Sequence, residues 1–108
     1  MKLNELRDVC FKNAKDHGWH DEPRTFGDVI SLMHSELSEA LEDFRNGKGV
    51  NEVFYQGEKP CGIPIELADV IIRILDYCGS QKIDIEKAVI EKMIYNEKRP
   101  YRHGGKVI

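Results

Sequence analysis

Two acidic pairs at helical spacing, Glu36-x-x-Glu39 and Glu66-x-x-Asp69, separated by 26 residues, are the side chains best suited to chemistry in this chain. Positions i and i+3 share a helical face, so each pair aims two carboxylates at one place, and two antiparallel neighbours bring four together. Four converging carboxylates repel one another unless a cation joins them. Hard oxygen donors in this number suit Mg²⁺ or Mn²⁺, with water and substrate phosphate completing the shell. The competing reading is plain solvation, because 19 Asp and Glu residues make such pairs easy to obtain by chance.

Projection at ~100° per residue favours the site. Glu36 and Glu39 fall on the flank of an apolar stripe, near Val29 and Leu32, while Ser35, Ser38 and Glu42 face the other way. On the second segment Glu66, Asp69, Arg73 and Asp76 form one polar stripe along an otherwise apolar helix, which reads equally well as an exposed face or as a site. Arg73 pairs with Asp69 or Asp76, or faces a phosphate. Asp43 projects near Glu36 and is either a supporting partner of the site or a solvated charge. Further on, Asn96 falls inside the apolar stripe Ile85, Val89, Met93, with Lys92 at its edge and Arg99 just beyond. Burying an amide and an ammonium is costly unless partners await them, and carboxylates or a phosphorylated ligand would be such partners.

The elements that must position these groups read as four helices. Leu3, Leu6, Cys10 and Ala14 recur at helical spacing and predict a first helix from about Leu3 to His17, followed by the loop GWHDEPRT. From Phe26, the set Val29, Ile30, Met33, Leu37, Ala40, Leu41 and Phe44 predicts a second helix that stops at Asn46-Gly47. Residues 47–62, with four glycines and a proline, predict a connection rather than a strand. Pro64 suits the first turn of a third helix ending at Gly79, and Asp84 caps a fourth, IEKAVIEKMIYNEK, that ends before Pro100. The expectation is an all-α, four-helix bundle-like domain over residues 1–108 with a basic tail at about 99–108. The third helix is apolar nearly all round, which four helices of one short chain would struggle to cover. A homo-oligomer, dimer or tetramer, is expected.

Composition excludes several alternatives. At 108 residues, 41% hydrophobic and 32% charged, the chain is one soluble domain with no membrane-length apolar run. No signal-peptide pattern opens it, so the cytoplasm is the expected compartment. Cys10, Cys61 and Cys78 are widely spaced, without a C-x-x-C, and are expected to be reduced packing residues. One H-x-x-H, His17 and His20, without E-x-x-H or H-E-x-x-H, argues against zinc hydrolase and ferritin-like sites. Net charge is −3, yet residues 92–108 carry five Lys and Arg against one Glu. An acidic body with a short basic end argues against duplex nucleic acid and suits a phosphate held through a metal ion.

The arrangement Glu36-x-x-Glu39, Glu66-x-x-Asp69, Lys92-x-x-x-Asn96-x-x-Arg99, with the tail RPYRHGGK, resembles the MazG-like, all-α nucleoside triphosphate pyrophosphohydrolases over roughly residues 26–106. The resemblance implies Mg²⁺-dependent cleavage of a nucleoside triphosphate, often a deoxynucleotide, between the α and β phosphorus, giving monophosphate and pyrophosphate. It implies that Glu36, Glu39, Glu66 and Asp69 hold the metal and that one of them, for which Glu39 is our choice, orients or deprotonates the water. Lys92 and Arg99 would neutralise phosphates, and Asn96 would hydrogen-bond phosphate or sugar. Trp19 and His20 are the best base platform and edge reader, with a core or interface anchor as the other reading of Trp19. Phe54 and Tyr55 could serve instead, supplied by a partner subunit. Tyr101, Arg102 and His103 would close over the phosphates, unless the tail is simply frayed. Three alternatives stand beside this expectation: a related enzyme for phosphoribosyl or modified nucleotides, a non-catalytic helical interaction module of the same fold, and nucleic-acid binding through the basic tail, which would fall steeply with salt and not depend on Glu36 or Asp69.

Overall fold

The computed structural model describes residues 1–105 and 107. Four long helices run in the order α1 (Leu3–Asp16), α2 (Phe26–Arg45), α3 (Ile63–Ser80) and α4 (Ile85–Glu97), with a short α5 (Arg102–Gly105) in the tail. Start signals fall where the local chemistry requires them. Thr25 accepts from the backbone of Asp28 while Asp28 accepts from that of Thr25, a complete capping box. Asp84 accepts from Lys87 N at 3.0 Å and caps α4, and Pro64 occupies the first turn of α3.

The connection between α2 and α3 corrects one expectation. Strands β1 (Phe54–Gln56) and β2 (Lys59–Cys61) pair antiparallel, with Gln56 opposite Lys59 and Tyr55 opposite Pro60. Gly57 takes a positive φ of 65° and is followed by Glu58, the glycine-first two-residue turn that matches strand twist. Pro60 is tolerated because both strands of a two-stranded ribbon are edges. The hairpin is anchored at Gly62, with φ 115°, where a Cβ would collide with the carbonyl oxygen of Glu52. Only glycine brings the loop this close to the start of α3.

Helix α3 is the spine, packed between α1 and α2. Glu39 lies by Glu66, Arg73 bonds to Glu36 and Phe26 meets Tyr77 with ring centroids 5.5 Å apart, so α2 and α3 run antiparallel. On the other side Phe11 of α1 seats against Gly79, where a Cβ would overlap the Phe11 side chain. Leu75 and Cys78 are buried in this core, with Cys10 and Cys61 also buried and all three thiols free. Helix α4 packs on α1, tied by Asn4 to Asp84 (2.9 Å) and by Arg7 to the Ile83 carbonyl (2.8 Å).

Two expectations about burial are revised. On α2 the seam against α3 is centred on Val29, Glu36 and Ala40, rotated roughly 60° at ~100° per residue from the middle of the apolar stripe. Glu36 is therefore buried rather than a boundary residue, and Leu37, Leu41 and Phe44 stay exposed. Lys92 and Asn96 on α4 are exposed and Arg99, two residues past its end, is half-buried, because α4 packs mainly on the start of α1 and covers little of itself. The Lys92 and Arg99 cations instead lie over the Tyr95 ring, 4.8 and 5.5 Å from its centroid. Leu67, Ile71, Ile72 and Ile74 of α3 also remain partly open. The chain exposes 8470 Å², against about 6,200 Å² for a compact monomer of this mass. Its radius of gyration is 16.5 Å, against about 13 Å for a compact chain of this length. Among the described residues, no helix is long and apolar enough to cross a membrane.

Candidate metal and nucleotide site

The rotation of α2 has a chemical result: it turns the carboxylate flank, not the apolar stripe, toward α3. Carboxylate oxygens of Glu36, Glu39 and Glu66 lie within 4.8 Å of one another. Asp69, one turn beyond Glu66, stands beside this trio and lines the adjoining cleft with Glu36 and Arg73. The four acidic residues singled out in the sequence are thus gathered at one seam, three as a tight cluster and the fourth at its shoulder.

The electrostatics of the cluster are those of a site short of positive charge. Burial, then a hydrogen bond with Glu39, then the charges of Glu39, Asp69 and Glu36 push the Glu66 carboxyl up to about 7. A hydrogen bond between two carboxyl groups needs a proton on one of them, and the raised Glu66 carboxyl supplies it. Burial and the Glu36 charge also raise Asp69, with Arg73 opposing. The second Glu66 oxygen, Oε2, is buried with no hydrogen-bond partner. A buried, unpartnered carboxylate oxygen within reach of two more carboxylates could hold a hard divalent cation such as Mg²⁺ or Mn²⁺.

One cation is already present. Arg73 sends both Nε and Nη2 to Glu36 Oε1, each at 2.9 Å, rather than pairing with Asp69 or Asp76 within its own helix. Lys59 on β2 also acts on Asp69, lowering its pKa, a neighbour that could be found only through the unrecognised hairpin.

From the carboxylates a cleft runs along the α3 stripe toward the α1–α2 loop. Its inner part, about 230 Å³, is lined by Glu36, Asp69, Ile72, Arg73, Asp76 and residues of α1. Its outer part, about 280 Å³, is lined by Trp19, Arg24, Val29, Leu32, Tyr77 and Gln81 among others. Trp19, Arg24, Arg73 and Asp76 belong to both. Trp19 is 56% exposed, and the Arg24 guanidinium lies 5.4 Å from its ring centroid, so it forms the rim rather than a core anchor. His20 is held at both ends, edge-on to Phe11 at 5.0 Å and with Nε2 2.7 Å from Asp76 Oδ1.

Among the described residues, other expected contacts are not made within one chain. Lys92 and Asn96 sit on α4 and Arg99 two residues past its end, and none of the three lines the cleft. Tyr101 is exposed beneath the Arg102 guanidinium and lines no part of the cleft. The face of Phe54 is occupied by Lys48, 4.4 Å from the ring centroid, and Tyr55 is exposed. The His103 side chain lies outside the described residues. Arg24 and Asp76 were not singled out as ligand-contacting residues; Asp76 was visible only as the last member of the α3 stripe. Comparison with protein-family models, with curated proteins and with solved structures finds no match.

Proposed function

We propose that the chain is a Mg²⁺-dependent nucleoside triphosphate pyrophosphohydrolase, acting on a deoxynucleoside triphosphate to give the monophosphate and pyrophosphate. The observation that carries this reading is the buried, unpartnered Glu66 oxygen inside a three-glutamate cluster whose Glu36, with the neighbouring Asp69, lines an adjoining cleft. The order and spacing of the acidic pairs, which resemble the MazG-like enzymes, support it.

Glu36, Glu39, Glu66 and Asp69 would hold the cation. When bound, it supplies neutralisation of the triphosphate and polarisation of the α-phosphoryl group. Glu39, the exposed member of the trio, would accept a proton from the attacking water. Glu36 is held in place by Arg73, whose exposed edge can also meet a phosphate oxygen. Water adds to the α phosphorus as the bond to the bridging oxygen breaks, and pyrophosphate departs with that oxygen. The hydrolytic step needs no covalent intermediate.

A second copy of the chain belongs to the proposal. The surface excess and the open faces of α2, α3 and α4 support it, because a homodimer or homotetramer would cover them. Lys92, Asn96 and Arg99 would then reach phosphates across that interface rather than within their own chain.

The test is product analysis with a panel of nucleoside triphosphates, with Mg²⁺ or a chelator. Monophosphate plus pyrophosphate, abolished by the chelator and reduced at least ~100-fold in Asp69→Asn with the helices intact, is the expected result. A folded, fully active Asp69→Asn protein would overturn the site. Turnover confined to phosphoribosyl or modified nucleotides would move the substrate. Absence of turnover on all of these would leave a helical interaction module.

A further inference from the structure

Resting on the reading of the carboxylate cluster as the phosphate end, we propose that Asp76 is the specificity residue at the base end of the cleft, selecting bases that present an exocyclic amino group. Four facts place it there. Asp76 belongs to the same α3 stripe as Glu66, Asp69 and Arg73, and lies seven residues beyond Asp69, about 10 Å along the axis at ~1.5 Å per residue. That span is close to the reach of a nucleoside from its 5′ phosphorus to the amino edge of its base. The two compartments share Trp19, Arg24, Arg73 and Asp76 as lining, so Asp76 borders both the compartment that holds Glu36 and Asp69 and the outer one beside the α1–α2 loop.

Asp76 is also pinned. His20 Nε2 lies 2.7 Å from Oδ1, with the His20 ring fixed edge-on against Phe11, and the Asp76 side chain is 23% exposed. Among the described residues Oδ2 has no protein hydrogen bond. An ionised carboxylate can only accept, so the free oxygen is complementary to an amino N–H of cytosine, adenine or guanine. The 4-carbonyl of uracil or thymine would set two acceptors against each other, leaving the carboxylate desolvated and unpaired. His20 then acts as a positioning residue for Asp76 rather than as a base reader itself.

Deoxycytidine and deoxyuridine triphosphates with a non-hydrolysable α,β-imido bridge isolate this term, because their bases present an amino group and a carbonyl at the same position. Titrated into the wild-type protein with Mg²⁺, the cytosine analogue is expected to bind ~10–100-fold more tightly. Asp76→Asn keeps an acceptor for His20 and gains a donor, and is expected to bring the two affinities within about threefold of each other. Equal binding by the wild-type protein, or a preference unchanged in a folded Asp76→Asn, would overturn the assignment while leaving the pyrophosphohydrolase reading in place. Failure of both analogues to bind would overturn the two together.

Discussion

Glu66 sits under more electrostatic tension than any other residue described, and that tension is measurable. Its folded-state pKa of about 7 exceeds the reference 4.5, so between those values the native chain holds more protons than the unfolded one. The sign follows: its contribution to stability is complete below about 4.5 and lost as pH rises through 7. Asp69 is raised as well and acts in the same direction from its reference of 3.8. Asp16, lowered by its bond to Lys12, and Asp84, lowered by Asn4, work oppositely but only as pH falls below 3.8. In chelator, the melting temperature should therefore fall between pH 5 and 7.5, and Glu66→Gln should flatten that slope. Millimolar Mg²⁺ should stabilise the wild-type protein most at the upper end of the window, where its ligands are ionised. A slope that persists unchanged in Glu66→Gln would place the titrating group elsewhere.

At the scale of elements, the helix seams decide what is tolerated. Gly79→Ala gains about 1 kcal/mol of helix propensity, but its methyl group lands on the Phe11 side chain, and overpacking costs about 1–3 kcal/mol. The clash wins, and chemical denaturation should report net destabilisation. Gly27→Ala, whose methyl would meet only the Thr25 hydroxyl at 3.7 Å, should be neutral or stabilising. The helices were legible in the sequence because apolar spacing and the start signals Pro64 and Asp84 act locally. The acidic pairs were legible because i, i+3 spacing survives any packing. Three things were not. The hairpin hid behind Pro60, whose cost disappears on an edge. The face of α2 that meets α3 follows from matching Arg73 to Glu36, a pairing between helices that no single-helix projection contains. The position of α4 depends on the Asn4 and Arg7 contacts with residues some eighty positions away.

The whole molecule is too open for its mass, and assembly is the expected remedy. Sedimentation should give a multiple of 12.5 kDa for the wild-type protein. Ile71→Asp, at a position 52% exposed in the single chain, should shift it to the monomer with little local cost; a wild-type protein that sediments as a monomer would defeat the proposed assembly. The uncovered sides of α3 and α4 carry one more implication. When the surface that hides a helix belongs to another copy, unfolding and dissociation become one equilibrium governed by mass action. Such a chain tells the cell how much of itself is present: dilution alone weakens it, and a surplus made in one place protects its own fold.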